Sequence, residues 1–196
     1  MIVGKHSVDY SEEGHRYLVD GRQVPSVTQL VKFKFPNKYN GVNTSTLQSA
    51  AEKGTELHNA IEIYEQDGLE RDDLIEFRNY KFLKQLIGWE TVESETMVVL
   101  DYNNITIAGR LDQLQMQNGL LGIADIKRTS VLDKEYLAYQ LNLYRLAYMQ
   151  TYGKEISFLR AIHLHDDKRK AVDIKINEKL TYELLEEYER SLTNEH

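Results

Sequence analysis

The chain has no cysteine among its 196 residues. Disulfides, thiolate metal sites and iron–sulfur clusters are excluded at once. The N-terminal stretch MIVGKHSVDYSEEGHRY lacks an apolar h-region, so no signal peptide is expected. No apolar run approaches the length of a membrane span. Together these absences predict a protein of the cytoplasm with no membrane partner. There is no Gly/Ser/Pro-rich linker, low-complexity tract or repeat. The expectation is one domain over 1–196, with an N-terminal hairpin and helix segment and a C-terminal helix. A chain of this size buries roughly 70% of its unfolded surface and needs no covalent staples. Positive charge is also short: 24 Lys and Arg stand against 31 Asp and Glu, a net charge of −7. Coating of nucleic acid by bulk charge is excluded, because that mode needs a basic protein. A nucleic-acid role would need a local basic patch, or a metal that supplies the positive charge.

What is present alternates between helical and strand periods. HRYLV, then Asp20-Gly21, then RQV reads as a hairpin with a two-residue turn. Ser26 with Gln29 three residues on is a capping-box pattern opening a short helix, and Pro36 ends any helix there. Residues from about 44 to 66 read as a helix broken at Gly54. RDDLIEFRNYKFLKQLIGW reads as another, with Leu74, Phe77, Tyr80 (or Lys81), Leu83 (or Lys84) and Ile87 near one face. A strand region spans about 96–127, and a helix about 134–152, closed by Gly153. ISFLRAIHLH and KAVDIKI are two further strands around a polar turn. The last stretch, with Leu180, Leu184, Leu185, Tyr188 and Leu192 at helical spacing, is an amphipathic helix. This order predicts an α/β (α+β) fold with a central mixed sheet flanked by helices.

One hairpin carries chemistry. In ITIAGRLDQLQMQNGLLGIADIK, the Asn118-Gly119 turn favours type I′ and sets the register. Gln117 then opposes Leu120, Leu114 opposes Ile123, Asp112 opposes Asp125 and Arg110 opposes Lys127. All four charged residues share one face provided no bulge intervenes. Carboxylates about 5 Å apart repel by roughly 3 kcal/mol at an effective dielectric near 20. A shared proton, the flanking Arg110 and Lys127, or a divalent cation would each compensate. Hard oxygen ligands suit Mg²⁺ or Mn²⁺. The lysine favours phosphodiester hydrolysis over metal storage, because an ammonium beside the ion can position water and offset charge in the transition state.

GRLD, then ADIK, then YQLNLY, with EKGTELHNAIE upstream, resembles the motifs of the PD-(D/E)XK nuclease superfamily in its RecB-like branch. YLVDGRQVPSVTQLV resembles the opening of phage-type members, and the resemblance covers about 17–176. It implies a restriction-endonuclease-like core and a metal-dependent DNA nuclease. The expected role is exonuclease in phage or bacterial recombination and repair, acting on DNA beside a single-strand annealing protein. By resemblance, Asp112 and Asp125 are metal ligands, with the Ile126 backbone carbonyl and His58 completing the shell. Lys127 is the catalytic lysine, and Gln140 and Tyr144 form the Gln-x-x-x-Tyr pair beside the site. The cofactor implied is Mg²⁺ or Mn²⁺, without an iron–sulfur cluster. Leu111 stands where the superfamily has proline. Alternatives are a nicking or structure-specific endonuclease, and a nuclease-fold protein that binds DNA or a partner without cutting.

Other residues invite weaker readings. Arg110, Arg128, Lys32, Lys34 and Lys38 are candidate DNA contacts. Phe33, Phe35 and Tyr39 among those lysines could stack on bases or pack in the core. Glu62, one turn after His58, reads as solvated but within reach of the site. His163 and His165, before Asp166-Asp167, imitate a metal site but read as an exposed edge.

Overall fold

The structure, a computed structural model, describes residues 1–38 and 40–193. An antiparallel meander opens the chain: β1 (Ile2–Val3), β2 (His6–Ser11), β3 (Arg16–Val19) and β4 (Arg22–Val24). The Asp20-Gly21 turn joins β3 to β4 with both residues at positive φ, as a type I′ turn requires. Helix α1 (Val27–Lys34) starts on the expected capping box: Gln29 N–H donates to Ser26 Oγ at 3.1 Å, and Ser26 N–H to Gln29 Oε1 at 2.7 Å. Helices α2 (Thr44–Asp67) and α3 (Ile75–Ile87) follow. Helix α2 is continuous through Gly54, contrary to the expected break. Glycine keeps its N–H, so the ladder is intact and only about 1 kcal/mol of propensity is lost.

Five strands form the main sheet in the order β5 (Glu90–Tyr102), β6 (Ile105–Gln117), β7 (Leu120–Lys127), β8 (Phe158–His165), β9 (Lys168–Ile174). β7 and β8 are parallel, joined by helix α4 (Lys134–Tyr152), and the other pairs are antiparallel. Helix α5 (Glu178–Thr193) ends the description. The fold is α/β: a mixed sheet flanked by helices, as the sequence implies. β5 begins six residues before the expected strand region. Its first half is largely exposed, with Glu90 and Glu93 in solvent and Glu95 half-buried. β8 is an interior strand, which corrects the reading of His163 as an exposed edge; His163 is buried, with Nε2 bonded to the Thr129 carbonyl at 2.6 Å.

One face of the sheet packs Leu111, Leu114, Ile123 and Leu159 against α1, α4 and α5. The other packs Ala124, Ile126, Ile162 and Leu164 against Leu57 and Ile61 of α2 and Phe77, Tyr80 and Leu83 of α3. The meander covers Val99 and Ala108 with Val3, Val8, Tyr17 and Val19. His6 pins it there, with Nδ1 2.7 Å from Asp20 Oδ2 and Nε2 3.0 Å from Asp101 Oδ2.

The register set by Asn118-Gly119 holds from Gln117↔Leu120 to Gln113↔Ala124 and then stops. Asp112 does not pair with Asp125, nor Arg110 with Lys127. Leu111 and Leu114 both enter the same core although they are three apart, so the alternation of β6 slips by one residue between them. Ala108 and Arg110 turn toward the meander instead, with the Arg110 guanidinium 4.7 Å from the centre of the Tyr10 ring. The expectation that all four charges share one face is thus corrected by a slip at Asp112.

Gly109 lets two helices press onto β6 beside that slip. A Cβ there would lie 2.8 Å from Tyr144 Cε1 and 3.0 Å from Val27 Cγ2. Overpacking of this kind costs about 1–3 kcal/mol. Gly109→Ala is therefore expected to lower the urea midpoint of unfolding by a matching amount. An unchanged midpoint would show that α1 and α4 yield freely.

Candidate active site

The site lies where β6 and β7 part. Asp112 Oδ2 accepts the Ile126 N–H at 2.7 Å, so a side chain holds the strands together just where the backbone ladder has ended. From α2, His58 Nε2 donates to the Ile126 carbonyl at 2.9 Å. That bond assigns the proton to Nε2 and leaves the Nδ1 lone pair on the Asp112 side, 3.7 Å from Asp112 Oδ2. The Ile126 carbonyl, expected in a metal shell, thus already has one partner and keeps a second lone pair.

Asp125 and Lys127 point away from α2. Asp125 is buried, and its Oδ2 lies 2.6 Å from Lys127 Nζ. Burial pushes the Asp125 carboxyl up to about 6, with Asp112 adding to the rise and Lys127 offsetting part of it. Burial also works against the Lys127 ammonium, but Asp125 and Asp112 outweigh it and its pKa is raised. Lys127 is therefore a cation at neutral pH. Gln140 and Tyr144 lie on α4, both buried. Gln140 Oε1 has no hydrogen-bond partner among the described residues. Burial holds the Tyr144 phenol well above its ordinary pKa, so it stays protonated and donates to the Arg110 carbonyl at 3.0 Å. That bond fastens α4 to β6 next to Asp112.

The sequence reading missed Glu95. His58, Glu95 and Asp112 each offer a ligand atom, and these atoms all lie within 4.8 Å of one another. Glu95 sits on β5 between the pairs Ser94↔Gln113 and Thr96↔Leu111, so it stands across from Asp112. The signal was available: Asn103-Asn104 is a second two-residue turn, with Tyr102↔Ile105 as its closing pair, and its register leads to Glu95 and Asp112. Glu95 has φ 55°, a left-handed conformation that costs a non-glycine residue about 1–2 kcal/mol and is characteristic of functional positions. Burial, helped by Asp112, pushes its carboxyl up to about 7, while Arg110, whose Nε is 2.6 Å from Oε2, offsets part of the rise.

The donor set fits a hard divalent ion. It comprises two carboxylates and an imidazole already converged, a third carboxylate next to them, and a backbone carbonyl 2.9 Å from the imidazole. Adjacent ligands in an octahedral shell with bonds of about 2.1 Å are about 3 Å apart. Glu62 is half-buried, accepts from Gln66 Nε2 at 3.1 Å and contributes to the rise at Glu95.

The expected DNA contacts are mostly engaged elsewhere. Arg110 pairs with Glu95; Arg128 pairs with Glu76 at 2.7 Å and Asp166 at 3.4 Å; Lys34 with Glu187 at 2.5 Å; Lys38 with Asp133 at 2.8 Å. Lys32 is exposed. Phe33 stands edge-on to Tyr188 but stays exposed, whereas Phe35 packs against Tyr136 and Tyr139 at the margin of the core. Tyr39 lies outside the described residues.

Both raised carboxylates bind protons in the fold that the unfolded chain has already released. Stability of the metal-free protein is therefore expected to fall as pH rises through about 5 to 7. His6, raised by Asp20 and Asp101, acts with the same sign, since its contribution is present below its unfolded pKa and lost above its folded one. The contribution of Glu95 is read by difference: Glu95→Gln should flatten the thermal-melt dependence between pH 5 and 7, and should weaken Mn²⁺ binding in calorimetry. Melts parallel to wild type with unchanged Mn²⁺ affinity would remove Glu95 from the site.

No family model matches the chain, and no curated protein matches it. Among the solved structures similar to the chain are the following two. SSO0001 is 18% identical, with a TM-score of 0.48 over 83% of this chain and 73% of that one. An alkaline exonuclease from Laribacter hongkongensis is 11% identical, with a TM-score of 0.48 over 87% of each chain. The fold and the chemistry therefore rest on this chain's own residues.

Proposed function

We propose that this chain is a Mg²⁺- or Mn²⁺-dependent deoxyribonuclease of the PD-(D/E)XK type, an exonuclease of phage or bacterial recombination and repair working beside a single-strand annealing protein. The observation that carries the reading is the convergence of His58, Glu95 and Asp112 on one another at the fork of β6 and β7, with the buried Asp125–Lys127 ion pair close enough to feel the Asp112 charge. His58, Glu95, Asp112, Asp125 and the Ile126 carbonyl would hold the ion. When bound, the ion would polarise the phosphodiester and ease deprotonation of the attacking water.

The protein groups supply the rest. The carboxylates fix the ion's place and repel the phosphate except where a cation intervenes. The Lys127 ammonium, held by Asp125, can orient the attacking water and stabilise charge growing on the phosphoryl oxygens. Gln140, with its free Oε1, can accept from that water. Tyr144 keeps α4 in register with Asp112. A storage site would gain nothing from an ammonium 2.6 Å from one of its ligands. That same lysine also speaks against a fold that binds DNA without cutting it.

Purified protein with end-labelled single- and double-stranded DNA, with and without Mg²⁺ or Mn²⁺, tests this reading. Mononucleotides released from an end are expected. Internal fragments or relaxed circles would mean an endonuclease, and binding without cleavage a non-catalytic protein. Lys127→Ala should cut at least about a hundredfold more slowly. Its metal affinity should be unchanged or slightly tighter, because a cation next to the ion has gone. Lys127→Arg should rescue poorly, because a planar fork does not replace a compact ammonium. Wild-type rates in Lys127→Ala would remove the lysine from the chemistry.

A further inference from the structure

Among the described residues, the first three turns of α2 stand almost clear of the protein, with every residue from Thr44 to Lys53 exposed except Leu47. The two sides of this arm differ in chemistry. One borders a cavity of about 1010 Å³ that includes Glu52, Glu56 and Glu70, and its one arginine, Arg71, is paired with Glu56 and Asp73. The other borders a groove of about 390 Å³ lined by Ser45, Thr46, Ser49, Ala50, Lys53 and Arg128. This lining has three hydroxyls, two cations from different elements, and no carboxylate.

We infer that this groove is a sugar–phosphate subsite, holding the backbone of the DNA strand as it enters the cleavage site; the inference rests on the nuclease reading above. Both walls lead to the proposed chemistry. Lys53 precedes His58 by five residues, about 7.5 Å along the helix. Arg128 follows Lys127 directly. Its Nη2 is engaged by Glu76 and Asp166, which fix the guanidinium, and among the described residues its Nε and Nη1 have no ion-pair partner. Lys53, with no ion pair among the described residues, supplies the uncompensated charge. The small side chains of Ser45, Ser49 and Ala50 let a backbone approach closely. The lining holds no aromatic ring on which a base could stack, so contacts here carry position rather than sequence. The volume is at the small end of ligand pockets, near one nucleotide rather than a duplex. The groove also accounts for how an acidic protein engages DNA: the cations nearest the ion are already matched by carboxylates, and the arm offers a cation that is not.

The test measures anisotropy of a labelled oligonucleotide in a Lys127→Ala background, so that binding is read apart from turnover. Lys53→Glu should weaken binding by at least about tenfold in low salt. Lys53→Ala should lower the slope of log affinity against log salt by about 0.7–0.9, one phosphate contact. Ser49→Asp, which puts a carboxylate in the groove, should also weaken binding. Lys154→Glu makes the same change in net charge at the far end of α4 and should leave binding intact. Equal losses in Lys53→Glu and Lys154→Glu would mean bulk charge and overturn the groove. So would unchanged binding in Lys53→Glu and Ser49→Asp, and if the wild-type protein still cuts DNA the nuclease reading survives that loss. Groove-dependent binding in a protein that does not cut would keep the subsite and remove the nuclease. A protein that neither binds nor cuts DNA overturns both.

Discussion

At Asp112 a carboxylate takes over from the backbone ladder. Strands β6 and β7 exchange main-chain bonds as far as Gln113 and Ala124, and one residue on Asp112 Oδ2 accepts the Ile126 N–H. Everything in the site follows from that bond. It fixes the Ile126 peptide, whose carbonyl accepts from His58. It leaves Asp125 and Lys127 on the α4 side, and puts Asp112 across from Glu95. A straight ladder would have placed Asp112 and Asp125 face to face and given the sheet a repelling pair with nothing between them. The slip at Asp112 instead opens a space that four elements, α2, β5, β6 and β7, line with ligands.

The site is held in a poised electrostatic state. Three carboxylates crowd the fork, with Arg110 paired to Glu95, Lys127 paired to Asp125 and the His58 imidazole beside Asp112. Burial and mutual repulsion raise Glu95 and Asp125, and the left-handed backbone of Glu95 adds conformational strain. Such an arrangement lowers stability in exchange for affinity toward a cation, which is the usual trade at functional sites. The surrounding packing makes it tolerable. Tyr144 and Val27 press on Gly109, and the meander braces Arg110 through Tyr10.

Much of this was legible in the sequence, for identifiable reasons. The Asn-Gly and Asp-Gly turns, the Ser26 capping box and the terminating Gly153 are local signals, and they placed α1, α4 and two hairpins. Asp125 and Lys127 stood out because charge at the end of an apolar strand is costly. What escaped depended on contacts far apart in sequence. Nothing local marks the slip at Asp112, which follows from Leu111 and Leu114 seeking the same core. Glu95 was hidden because the first half of β5 is an edge, where polar residues are ordinary, and because Asn103-Asn104 is a weaker turn signal than Asn-Gly. The lysine and arginine patches misled for the opposite reason. Their partners, Glu76, Asp133 and Glu187, lie 52 to 153 residues away or on other elements, and pairing across such separations has no signature in the chain.

The central claim is that His58, Glu95, Asp112 and Asp125 hold one divalent ion at this fork. Anomalous diffraction from crystals soaked in Mn²⁺ tests it most directly. The account predicts a peak between α2, β5, β6 and β7, within about 2.3 Å of a His58 ring nitrogen and of carboxylate oxygens of Glu95, Asp112 and Asp125. No peak there, or manganese bound only at surface carboxylates while the fork stays closed by Arg110 and Lys127, would contradict it.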